Sequence, residues 1–299
     1  MTAGEPVEDA QGRLPAEVGR SLADIARSNG LRQVGGRPRL GAYVSALVER
    51  RHFVWVLSRS QAYAQNQDSY LGQAWNILNP LINGAVYLAV FGLVLRTDRG
   101  VDNFIAYLLV GIFIFQFMQR TLTMGSKAVT SKLGLVNSLQ FPRALLPISV
   151  VLTELIVLLP TVAVLLVLMP ITGEPITLWW LALPGAVGLM YLFGTGAAFI
   201  LARLVVEVRD LANLVPFVMR AMLYFSGVFF SISSYTSGFL GAVLEYQPFA
   251  VYIQLVRTCV MVEADPSWQL WTAGAVWAVL TLLVGFVYFW RAEAKYGRG

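Results

Sequence analysis

One cysteine, Cys259, and one histidine, His52, occur in 299 residues. A single cysteine excludes an internal disulfide and a cysteine-built metal cage. A single histidine excludes a histidine pair or triad, and on its helix His52 reads as an ordinary surface residue. Charge is scarce too: Asp, Glu, Lys and Arg make up 13% of the chain, where a soluble domain carries about 25%. With 57% hydrophobic residues and a mean hydropathy of +0.64, the chain is an integral membrane protein. No G-x-x-x-x-G-K-[ST] loop is present, because Gly125-Ser126-Lys127 lacks the earlier glycine. The chain has no visible phosphate cradle, so ATP-driven work would draw on another subunit. A membrane-embedded glycosyl- or acyltransferase would need a carboxylate cluster or a histidine base, and a secondary transporter would show internal repeats. Neither pattern is seen.

The net charge of +5 is positional and is no nucleic-acid footprint. Of 22 basic residues, nine precede residue 60, four lie from Arg120 to Arg143, three from Arg203 to Arg220 and three at the C-terminus. Only Arg96, Arg99 and Arg257 fall elsewhere. Apolar runs of about 20 residues, the length a ~30 Å hydrocarbon layer requires, predict six spans. They cover about Asn76–Leu95, Phe104–Met124, Pro147–Met169, Leu178–Ala202, Leu211–Ser231 and Gln269–Trp290. The basic asymmetry places both termini in the cytosol. Trp179, Trp180, Trp268, Trp271 and Trp290 stand at span ends as interfacial anchors.

Residues 1 to about 40 are polar and lack an apolar core of seven or more, which argues against a signal peptide. They are expected to form a mobile cytosolic extension. The stretch 41–75 is expected to hold an amphipathic helix at the cytosolic membrane surface and the approach to the first span. Val44, Leu47, Val48, Trp55 and Val56 form its apolar stripe, with Arg51 inside it. The membrane domain then occupies 76–292, followed by a short tail, 293–299. Between the second and third spans, Ser131 to Arg143 ends on Phe141-Pro142-Arg143. Pro142 cannot continue a helix and pushes Phe141 toward an extended conformation, so this is a short helix closed by a rigid elbow, suited to pressing on a cytosolic partner. From Ile232 to Trp268, two apolar stretches are too short to span and read as re-entrant or interfacial helices.

Glu154 and Arg220 stand out as ionisable residues inside predicted spans, at comparable depth. Intramembrane charge is costly unless paired or facing water, so they are expected either to pair or to flank the inner mouth of a path. Tyr87 and Phe91 on the first span, and Tyr224, Phe225, Phe229 and Phe230 on the fifth, are candidate rings along that path. Sugars present flat C–H faces that can slide over aromatic faces. Glu207 and Arg209, on the turn before the fifth span, are a second candidate docking contact.

Several fragments carry a family likeness. Ser69-Tyr70-Leu71-Gly72 with Trp75 and Pro80 resembles an S-x-L-G-x-x-W-x-x-x-x-P approach to the first span. Phe141-Pro142-Arg143 with Leu146-Pro147 is similar to an F-P-R-x-x-L-P signature. Arg209-Asp210, Pro216 and Phe229-Phe230-Ser231 resemble the R-D block and F-F-S ending of a fifth span. Pro248-Phe249 with Arg257 resembles the stretch before a last span. In this order they resemble the ABC-2 type permeases of polysaccharide export, the Wzm and teichoic-acid-exporter group. Gln65-Asn66, where members often carry Arg-Tyr, and Gln247, where asparagine usually precedes the proline, depart from the pattern.

The resemblance implies an all-α, six-span homodimeric permease in the cytoplasmic membrane, working with two copies of a separate ABC ATPase that binds ATP and Mg. It implies no cofactor in this chain. Membrane lipids and a lipid-linked polysaccharide of galactan, O-antigen or teichoic-acid type would be its other partners, and a smaller lipid or drug is the alternative cargo. The arginine-rich composition and the N-terminal extension lean toward an actinobacterial cell-wall galactan. Within the resemblance, Pro248, Phe249 and Arg257 belong to an outer gate and Phe141-Pro142-Arg143 to the ATPase-docking surface.

Overall fold

The computed structural model describes residues 39–296, except 66, 91–100, 139–140, 233–237, 263, 265–266 and 294–295. The N-terminal extension and Phe91 therefore lie outside the described residues. Within them the chain is helical and contains no strand.

Two helices, α1 (Leu40–Glu49) and α2 (Arg51–Ala64), break at Arg50. A 3-10 turn leads into α3 (Trp75–Leu88). Helix α4 (Phe104–Ser126) starts where the Asn103 side chain accepts a hydrogen bond from the Ala106 N–H, 3.2 Å away, which satisfies one of the donors a helix start leaves open. A 3-10 turn, Thr130–Lys132, and the short α5 (Leu133–Ser138) precede the Phe141–Arg143 elbow. Then come α6 (Leu145–Ile171), α7 (Leu183–Glu207), α8 (Leu211–Phe225), α9 (Gly238–Glu245), α10 (Pro248–Val260) and α11 (Trp268–Arg291).

Among the described residues, four helical stretches are long and apolar enough to cross a membrane: Phe104–Ser126, Leu145–Ile171, Leu178–Glu207 and Trp268–Arg291. Helices α9 and α10, bent by 70° at their junction, form a fifth candidate as a broken span or a re-entrant loop. Among the described residues, four of the six expected spans are thus seen, and the fifth candidate falls in the stretch expected to be re-entrant. The expected fifth span, Leu211–Ser231, departs most. Its helix stops at Phe225 after 15 residues, about 22 Å, because the chain turns at Gly227 (φ +71°), where a side chain would be strained. The helix of the expected first span is described only as far as Leu88.

Helix α4 runs through the centre of the main core, where Phe113, Phe115, Ile112 and Ile114 meet Tyr252, Val251 and Met190. Helix α11 lies along α7. The two backbones touch: a Cβ on Gly285 would sit 2.2 Å from the Gly196 carbonyl oxygen. Small residues let apolar helices approach this closely where no hydrophobic force drives them together.

A second, separate cluster lies at the end of the bundle where the chain's first and last described helices meet. It joins Tyr43, Val136, Ala144, Leu146, Phe199, Phe289, Ala292 and Tyr296. Helix α2 packs along α6 through Val54, Ser58 and Ala62, and the Ser58 hydroxyl donates to the Ser149 carbonyl at 2.9 Å. Val44, Val48, Trp55 and Val56 of the apolar stripe are exposed. The face that packs on protein is the less apolar one.

Candidate functional site

The first N–H groups of helix α6 close locally, Leu145 on the Pro142 carbonyl at 3.1 Å and Leu146 on the Arg143 carbonyl at 3.0 Å. The two N–H groups just ahead of the helix find acceptors far along the chain. The Arg143 N–H donates to Glu293 Oε1 at 2.9 Å, and the Ala144 N–H donates to the Tyr43 hydroxyl at 3.1 Å. That hydroxyl in turn donates to Glu293 Oε2 at 2.7 Å, and the Arg143 guanidinium donates to the Glu293 carbonyl. Burial pushes the Glu293 carboxyl above its ordinary value, and the hydrogen bonds from Arg143 and Tyr43 pull it back down. Burial, then the Glu293 charge, raises the Tyr43 phenol well above its usual range, so it stays protonated as a donor. Phe141 and Pro142 are half-buried, and the Phe141 ring stacks at 6.0 Å on Phe53 of α2. Arg143 points inward to the tail. Glu207 pairs with Arg203 at 3.1 Å on the surface, and Arg209 is exposed beside it.

Glu154 is paired, but not with Arg220. Its Oε2 lies 2.9 Å from Arg120 Nε, and Glu154 is 3% exposed against 33% for Arg120. Gln65, at the end of α2, accepts from Arg120 at 2.7 Å and donates to Glu154 at 3.3 Å. This closed triad fastens α2, α4 and α6 to one another. Arg120, grouped in the sequence with the loop cations although the expected span Phe104–Met124 covers it, lies inside α4. Arg220 is exposed on α8, on a side shared with Phe217 and Tyr224.

The aromatic candidates divide. Tyr224 and Phe225 are exposed, whereas Phe229 is buried, with its ring 4.9 Å from Tyr87 and 5.7 Å from Tyr224. The turn at Gly227 folds Phe229 back into the core, so it lines no open path in this arrangement. Tyr87 and Phe230 are partly buried.

At the opposite end of the bundle, Arg257 is 2% exposed, turned into the protein. Its guanidinium lies 3.2 Å over the Tyr107 ring. It donates to the carbonyls of Gly227 (2.9 Å), Tyr107 (3.0 Å) and Val228 (3.2 Å). The Tyr107 hydroxyl donates to the carbonyls of Gly227 and Phe230. Non-helical backbone inside an apolar bundle needs internal partners, and these two side chains supply them. Phe249 is likewise buried, against Phe115 at 5.8 Å, while Pro248 opens α10. Nearby, Asn103 and buried Glu174 are joined at 2.8 Å, and Glu174 accepts from the Val262 N–H at 3.0 Å.

Tyr43, Tyr107, Glu174 and Glu293 were not singled out by the sequence, Gln65 was marked only as a departure from the family pattern, and Arg120 only as one of the basic residues. Only the intramembrane position of Arg120 could have marked one of them.

A protein-family model described as "ABC-2 type transporter" matches residues 52–261. The chain belongs to the ABC-2 type transporter family. It is 27% identical over 191 residues to the O-antigen export system permease protein RfbA of Myxococcus xanthus, covering 64% of this chain and 73% of that one. It is 25% identical over 199 residues to the protein of the same name from Klebsiella pneumoniae, covering 66% of this chain and 76% of that one. An ABC-2 permease is a transporter's membrane subunit, which fits the helices described above.

Proposed function

We propose that this ABC-2 permease is the transmembrane subunit of an ATP-driven exporter that moves a lipid-linked polysaccharide outward across the cytoplasmic membrane. The observation that carries the reading is its likeness, over about two thirds of the chain, to relatives named for O-antigen export. In this reading the end holding the elbow faces the cytosol, both termini are cytosolic, and two copies of an ABC ATPase bind there and hydrolyse ATP. Cofactors in this chain play no part. The cargo is a glycan of galactan, O-antigen or teichoic-acid type on its lipid.

Arg220 supports a second copy. An arginine exposed on an apolar helix is costly against lipid, and Phe217, Tyr224 and Phe225 are exposed on the same helix. Two such faces across a path would give the cation water and the glycan aromatic surface.

The test is affinity purification of the tagged chain, co-expressed with candidate ATPase subunits, in mild detergent. Recovery of a roughly equimolar ATPase that hydrolyses ATP, and export of a lipid-linked glycan by the reconstituted pair, are expected. A chain that purifies with no nucleotide-hydrolysing partner would overturn the reading.

A further inference from the structure

We infer that Glu293, in the C-terminal tail, is a positioning residue that sets the elbow by holding the Arg143 N–H, just ahead of helix α6, from 150 positions away. The inference rests on the proposed docking of an ATPase at the elbow. It goes beyond the family match, which ends at residue 261.

Three structural facts carry it. First, helix α6 closes its own first turn on the Pro142 and Arg143 carbonyls, whereas the N–H groups of Arg143 and Ala144, just ahead of it, reach remote acceptors. The Glu293 carboxylate takes the first and the Tyr43 hydroxyl the second. A carboxylate beside a helix N-terminus is favoured twice, by hydrogen bonding and by the helix dipole. Second, the contact gathers three remote pieces of chain: α1 through Tyr43, the elbow through Arg143 and Ala144, and the tail through Glu293. Movement of any one piece is felt by the other two. Third, these residues sit on the small second cluster, separate from the main core, with Tyr296 and Phe289 stacked at 4.5 Å beneath them. The elbow therefore rests on a foundation of its own.

The inward turn of the Arg143 guanidinium onto the Glu293 carbonyl fits this arrangement. Arg143 holds the elbow's shape, and Phe141 and Pro142 are left at its outer edge for a partner.

The experiment compares wild type, Glu293→Gln, Glu293→Asp and Tyr43→Phe as full chains. Hydrogen exchange of the chain alone is read first. Amides of residues 141–148 in Glu293→Gln should exchange at least about tenfold faster, the order expected when a charge-assisted bond to a helix start is lost. Those of α4 and α11 should be unchanged, and Glu293→Asp should recover part of the protection. The complex with the ATPase is then reconstituted, and ATP hydrolysed per glycan exported is measured. A mispositioned elbow raises that ratio several-fold in Glu293→Gln while hydrolysis persists; a residue needed only for folding lowers both together and leaves the ratio alone. Unchanged exchange at 141–148, or an unchanged ratio with faster exchange, overturns the inference. Failure of the wild-type chain to recover an ATPase would instead overturn the proposed function, and the exchange result would stand separately.

Discussion

The two ends of the bundle solve the same problem with opposite charges. At one end the chain leaves helix α8 and turns at Gly227, exposing carbonyls, and a cation, Arg257, donates to those of Gly227 and Val228 and to the Tyr107 carbonyl of α4. At the other end the chain enters α6, exposing N–H groups, and an anion, Glu293, with Tyr43 accepts from two. The difference lies in how each charged residue is held. Arg257 sits inside α10, sealed by the Tyr107 ring and the main core. Glu293 follows the last turn of α11 and is held by the small cluster. The first arrangement is a fixed strut. The second is a clasp made from chain ends, and it lies at the end where the account places the ATPase.

Breaking the strut should have the largest effect. Arg257→Met takes the side-chain donor from the Val228 carbonyl and one of two from the Gly227 carbonyl, and removes the cation from the Tyr107 ring, so a loss of about 4 kcal/mol is expected. Folded protein on detergent gel filtration should fall sharply, with Arg257→Lys in between; full recovery of Arg257→Met would deny the strut. The Arg120–Glu154 pair ranks next, and it is asymmetric. Arg120→Ala leaves the 3%-exposed carboxylate unpaired and should cost about 3 kcal/mol, whereas Glu154→Gln leaves a partly hydrated arginine and should cost about 1 kcal/mol. Thermal midpoints of the two variants and their double mutant check this, and equal losses would count against the asymmetry.

The clasp is expected to be weaker. Tyr43→Phe removes one hydroxyl that donates once and accepts once, and about 1–2 kcal/mol should go, read as a lowered midpoint. A smaller effect tests the same end by pH. Burial pushes Lys132 down to about 8, and its ammonium has no hydrogen-bond partner among the described residues. Between about 8 and about 10.4, the ordinary lysine value, the unfolded chain keeps a proton that the folded chain has released. Stability should therefore rise with pH across that window and be flat just below it. Lys132→Met should abolish the rise, and a rise that survives in this variant would point to another group.

Much of the tail end could be read from the sequence, but not how it is held. Pro142 announces the elbow because a missing N–H is a local property. The Glu293 contact is invisible locally, since its partners lie 150 and 250 positions away. The composition marks a membrane protein, and the apolar runs find the four long helices. The same signal overruns α8, because Phe229 and Phe230 keep the hydropathy high beyond the turn; Gly227, directly after Ser226, is the punctuation it passes over. Glu154 is legible as a charge in need of a partner. Arg120 is not recognised as that partner when it is counted with the loop cations.

The most direct measurement is hydrogen exchange of the reconstituted permease–ATPase complex, with and without ATP. The account predicts that ATP changes exchange in residues 39–50 and 141–148, at the clasp, and leaves the Gly227 turn at 226–231 protected. Changes confined to 226–231, with the clasp unaltered, would contradict it.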